Sequence, residues 1–140
     1  MLGLLADVNC DLHFNALLAV CRSQAWRTYW LELKVRICSF HSLNLDRRIK
    51  DGPLWEICQQ QEIVLVTANR NDDGDDSLQA TLRRHNTIHS LPVLTIANPN
   101  LVLSNAAHAR QAAVRMMEIL TDIDLARGTG RIYLPSKVEG

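Results

Sequence analysis

Most of the signatures that assign a chemistry at sight are missing from these 140 residues. No GxSxG elbow is present, so acyl transfer or hydrolysis through a serine of that type has no nucleophile here. No P-loop and no GxGxxG follows an apolar run, which argues against triphosphate and dinucleotide binding. The four cysteines, Cys10, Cys21, Cys38 and Cys58, form neither a CxxC pair nor a zinc-ligand rhythm, and reduced thiols in a cytoplasmic protein are the expectation. Net charge is also lacking, because fifteen Lys and Arg balance fifteen Asp and Glu. A nucleic acid or other polyanion therefore has to be met by a local patch rather than by the field of the whole molecule. No apolar run approaches the length of a bilayer span, and the opening MLGLLADVNC has no basic leader and turns acidic at Asp7. The expectation is a soluble chain, without a membrane partner, that starts with structure. There is no internal repeat and no low-complexity segment.

What remains suits one ordinary domain: 47% of the residues are hydrophobic, with only six Gly and four Pro to interrupt them. Leu2 to Ala6 reads as a short buried strand, followed by a helix from Asp11 whose N-cap is Asn9 or Asp11. Between Arg27 and Leu45 the residues Tyr29, Leu31, Leu33, Val35 and Ile37 alternate with Glu32, Lys34 and Arg36, and this period of two favours a half-exposed strand or hairpin, with TYWLELKV also readable as helix. Pro53 fits the first turn of a helix that buries Leu54, Trp55, Ile57 and Cys58. Ile63 to Val66 is a second buried strand, Ser77 caps a helix to His85, and Val93 to Ala97 is a third strand. Ser104 opens the longest helix, closed by Arg127 and Gly128. Strands alternating with helices predict an α/β fold, a three-layer α/β/α sandwich around a mainly parallel sheet. Residues 1–127 form the domain, and 128–140 form a C-terminal tail that can add an edge strand at Ile132 to Leu134.

Polar groups at the carboxyl end of a buried strand mark where such folds place their sites. Three places qualify: Asp7 with Asn9, Asp51, and the segment from Asn69 to Asp76 that follows Thr67. Each also has a plainer reading. Asp7 and Asn9 suit a helix cap, Asp51 suits a turn before Gly52 and Pro53, and the Asp72 to Asp76 run suits a solvated loop. His85 and His89, spaced i, i+4, bring two imidazoles to one helix face if the helix continues, although no HExxH surrounds them.

LLADVN with Asp7, Asp51 ahead of LWEICQQQEIVLVT, and TANRN..G.DSL occur in an order and spacing that resemble the PIN-like domains, relatives of the PIN-domain ribonuclease toxins of toxin–antitoxin pairs. The resemblance spans nearly the whole chain. It implies an α/β/α domain whose carboxylates converge at one sheet edge and hold Mg2+ or Mn2+ to hydrolyse RNA. It also implies a cognate antitoxin or other protein partner and a homodimer. Hard divalent cations take oxygen ligands, activate a water and offset charge on a phosphate, so the chemistry is coherent with these residue types. Carried over by position, Asp7 and Asp51 are catalytic metal ligands; the third acidic contribution comes from the 69–76 loop, where Asp76 is the preferred substitute and Asp73 a further ligand, with Asn9, Thr67, Asn69 and Asn71 supporting them. The chain departs from the family's TxDxDF at Thr67, Asn69 and Asn71, where amides replace both aspartates. An amide oxygen can ligate a hard metal but brings no charge. The alternative is a degenerate PIN-like module that acts by dimerisation or protein binding.

Overall fold

The computed structural model describes residues 1–68 and 77–136. Among these residues five short strands, β1 (Gly3–Ala6), β2 (Arg36–Cys38), β3 (Ile63–Ala68), β4 (Val93–Ile96) and β5 (Arg131–Leu134), form one sheet in the order β2-β1-β3-β4-β5. Every pairing is parallel. Parallel sheets bury both faces, which is why β1, β3 and β4 read as continuous apolar runs. Among the described residues seven α-helices connect them: α1 (Asp11–Cys21), α2 (Arg27–Leu33), α3 (Asp51–Gln60), α4 (Leu78–His85), α5 (Pro99–Ser104), α6 (Ala106–Thr121) and α7 (Ile123–Ala126). The result is a Rossmann-like α/β/α sandwich.

Strand alternation divides the core in two. Leu4, Ala6, Val64, Val66, Leu94, Ile96 and Leu134 face a layer built from α1, α5 and α6, with Phe14, Leu17, Met116 and Met117 at its centre. Leu5, Ile63, Leu65 and Val93 face the other layer, where α3 and α4 supply Leu54, Trp55, Cys58, Leu78 and Leu82. At the amino edge of the sheet Arg127 clasps three segments, donating to Asp124 at 2.9 Å, to the carbonyl of His89 at 2.9 Å and to Glu62 at 3.3 Å.

Three expectations are corrected. The alternating stretch is helix α2 up to Leu33, and the strand is only Arg36–Cys38. Trp26, Trp30 and Leu33 recur at helical spacing and pack on the α6 layer, so burying that stripe outweighs the alternation and leaves Leu31 exposed. The first helix is not capped by Asn9 or Asp11. Asp7 accepts from the Val8 N–H at 2.8 Å and opens a 3-10 turn, Val8–Cys10, that runs straight into α1. Asn9 lies exposed inside that turn, and Asp11 pairs with Arg47 at 3.3 Å. Finally, Ser104 ends a helix rather than opening one. Asn98 caps α5 ahead of Pro99, Ser104 donates back to the Asn100 carbonyl, and Asn105 breaks to an extended conformation and caps α6.

Candidate functional site at the carboxyl edge

The chain leaves β1 for β2 on one side and returns to β3 on the other, so the carboxyl ends of β1 and β3 form the topological switch point of the sheet. Asp7 stands there. Its N–H donates to the Val66 carbonyl at 2.9 Å, and its extended backbone continues the strand alternation. Asp7 therefore shares the α3/α4 face with Leu5, and it is only 8% exposed. Thr67 on β3 and Thr95 on β4 are register partners on the same face, buried, with their hydroxyls 2.9 Å apart. A polar row thus crosses three neighbouring strands where the sheet ends.

Helix α3 begins at this edge because its chain has just left the carboxyl end of β2. Asp51 is its first residue, half-buried, and the carboxylate reaches across to α4, where Oδ2 accepts from the Leu78 N–H at 3.1 Å. Ser77 accepts from Ala80 at 3.1 Å, and Thr81 donates to the Ser77 carbonyl. Two of the open N–H groups at the start of α4 are thereby satisfied, one by its own cap and one by a neighbouring helix. Asp51 is consequently both the start of one helix and an anion at the positive end of another.

Of the residues expected at the site, Asp7, Thr67 and Asp51 come to this edge on the α3/α4 side, with exposed Asn9 beside Asp7 in the 3-10 turn. Asn69, Asn71, Asp73 and Asp76 lie outside the described residues. Among the described residues no three His, Cys, Asp or Glu side chains group closely enough to hold a metal ion. The His85/His89 pair does not share a helix face: α4 ends at His85, and residues 87–90 turn on hydrogen bonds between Thr87 and Ser90. Thr95 was not singled out from the sequence, although a threonine inside an apolar strand is the signal that would have found it. A groove of about 510 Å³ runs outward between α3 and α4, from Lys50 and Gly52 to Arg84 and His85.

The thiol beneath the site reports on its surroundings. Burial pushes Cys58 up to about 12, helped by neighbouring Cys38 and by the negative charge of Asp7. Burial likewise pushes Cys21 up to about 12, partly opposed by a backbone hydrogen bond and by Arg22. In the unfolded chain both thiols ionise near 9. The native state holds its protons longer, so the stability present below pH 9 is lost as the pH rises from about 9 toward 12. We expect the wild-type urea midpoint to fall with a steeper slope over that interval than the midpoint of a Cys21→Ala/Cys58→Ala variant. Equal slopes would show that the two thiols ionise as freely folded as unfolded.

No protein-family model, no curated protein and no solved structure matches the chain.

Proposed function

We propose that the chain is a PIN-like, metal-dependent ribonuclease whose site is the carboxyl edge of the sheet at β1, β3 and α3. The observation that carries this reading is the placement of the two residues that flank the acidic segment, Ala68 and Ser77. On one side β3 runs beside Asp7, and on the other Leu78 is bonded to the carboxylate of Asp51. The eight residues between Ala68 and Ser77 include Asp72, Asp73, Asp75 and Asp76, and the two flanking residues, Ala68 at the end of β3 and Ser77 at the start of α4, stand on the rim that carries Asp7 and Asp51.

The described donors fit Mg2+ or Mn2+ in kind, being carboxylate oxygens, but two carboxylates fall short of a full set. In this reading Asp76 supplies the third and Asp73 a further one, with Asn69 and Asn71 as neutral oxygen donors. Held by these residues, a divalent cation would supply Lewis acidity toward an attacking water and charge to offset that on the scissile phosphate. Asp7 and Asp51 contribute the negative charge, and their backbone bonding keeps the carboxylates from turning away. The Thr67–Thr95 hydroxyl pair stiffens the floor beneath them, and Lys50 and Arg84 line the groove along which an RNA backbone leaves the edge.

The test is a calorimetric titration of the full chain with Mn2+, followed by incubation with a mixed RNA and sequencing-gel analysis of the fragments. The expected result is saturable binding and cleavage that stops on chelation. Absence of binding at millimolar metal, with RNA left intact, would retire the nuclease reading in favour of a module that works by association.

A further inference from the structure

Helices α3 and α4 lie on one side of the five-stranded sheet, and β5, the last strand in its order, presents two half-buried side chains on that side. The side chains that alternation puts there are Arg131 and Tyr133, whereas Ile132 and Leu134 turn to the α6 layer. Between this face and α4 lies a recess of about 370 Å³, lined by Gln79, Arg83, Asn86, Thr129, Arg131 and Tyr133 among others, with no carboxylate among the described residues of its wall. Its size falls in the range of small-molecule sites. In a chain of zero net charge this is a local concentration of two cations. Neither Arg83 nor Arg131 forms an ion pair with a described residue.

A second observation points the same way. Arg131 Nε is sealed from solvent without a hydrogen-bond partner, and so is Asn86 Oδ1. Unpaired buried polar atoms are costly and rare, and each one calls for a reason. For Asn86 the other half of the amide explains the placement: Nδ2 donates to the Gly128 carbonyl at 3.0 Å and fixes the turn that delivers Thr129 to Arg131. For Arg131 no such anchor exists among the described residues. A guanidinium dehydrated along one edge, facing no carboxylate, binds a planar or tetrahedral oxyanion strongly through its terminal nitrogens.

We propose that the recess between α4 and β5 binds a nucleoside monophosphate unit, with the phosphate between Arg83 and Arg131 and the base against the ring of Tyr133. Two guanidiniums match the charge of a phosphate monoester, the Gln79 amide adds a neutral hydrogen-bonding group, and an aromatic side chain at the rim takes the flat face of a base. The site is separate from the carboxyl-edge carboxylates, and nothing in it depends on a metal.

The experiment is calorimetry of the full chain in EDTA, so that the carboxyl edge is kept metal-free, with AMP, UMP, adenosine, inorganic phosphate and a 5′-phosphorylated RNA tetramer as titrants. Saturable binding of AMP or UMP, weaker binding of phosphate and none of adenosine are expected. Arg83→Gln and Arg131→Gln each weaken AMP by about tenfold or more. Tyr133→Leu weakens AMP and leaves phosphate unchanged. Melting curves confirm that the variants are folded, and the two glutamine variants on separate elements guard against one that is not. The tetramer binding at least as tightly as AMP identifies the unit as part of a strand, and AMP binding alone identifies a free nucleotide; either supports the site. No saturable nucleotide binding, phosphate binding as tightly as AMP, or AMP binding unchanged in both folded glutamine variants overturns it.

Discussion

Replacing Asp7 by Asn is expected to reduce RNA cleavage by at least about a hundredfold, since even residues that only orient a metal's ligands are worth about 10–100-fold and Asp7 is a ligand itself in the proposed reading. The fold should survive. The Oδ1 of an asparagine accepts from the Val8 N–H as the aspartate does, so the 3-10 turn keeps its cap and stability changes by no more than about 1 kcal/mol. One readout is independent of activity: the negative charge of Asp7 helps to hold the Cys58 thiol up, so Cys58 in the variant titrates below its wild-type value. The pairing of outcomes is informative. A lower Cys58 titration with full cleavage would mean that Asp7 faces α3 as described but holds no metal. Lost cleavage together with a melting temperature lowered by many degrees would mean that the substitution acted through the fold.

The sheet was legible because a parallel strand buried on both faces has one sequence signature, a short apolar run closed by polar residues, and β1, β3 and β4 all carry it. Pro53 and Ser77 were legible for local reasons, being a proline tolerated only in a first turn and a serine that caps by its own hydroxyl. Residues 27–37 were not. Their alternation is as regular as that of a strand, and only the α6 surface beneath Trp26, Trp30 and Leu33 decides in favour of helix. Asn105 against Ser104 is a similar case, because both are good caps and the choice rests on which backbone takes the extended conformation.

Site residues divide along the same line. Asp7 was legible from its position after a buried run. The role of Asp51 was not, because its contact with Leu78 spans 27 residues of sequence and depends on two helices starting side by side. Thr95 escaped for the same reason: only the register of β3 on β4 brings its hydroxyl to Thr67. Arg131 and Tyr133 look like ordinary edge-strand residues until the helix beside them is known. Which helix comes to lie beside which strand is a property of the layers, and no window of sequence carries it.

The second large effect is on stability. Leu94→Ala is expected to cost about 2–5 kcal/mol, the range for emptying a fully buried leucine site. That is a large share of the roughly 5–15 kcal/mol by which domains of this kind are stable. The upper half of the range applies here, because the cavity has little freedom to collapse. Leu94 sits in β4, in register with Val66 on one side and Ile132 on the other, so parallel ladders hold the backbone in place from both flanks. The α6 layer beyond it is already filled by Ala112, Ala113, Met116 and Met117, none of them more than 1% exposed. The melting temperature should fall by about 10 °C or more. Leu125→Ala, at an 84% exposed position in α7, is the internal reference and should stay within about 0.5 kcal/mol of wild type. Equal, small losses at both positions would contradict the packing of α6 on β4. A full loss at Leu94 with the Asp7→Asn variant still melting like wild type would show that the packed layers, and not the charge of Asp7, hold the sheet together.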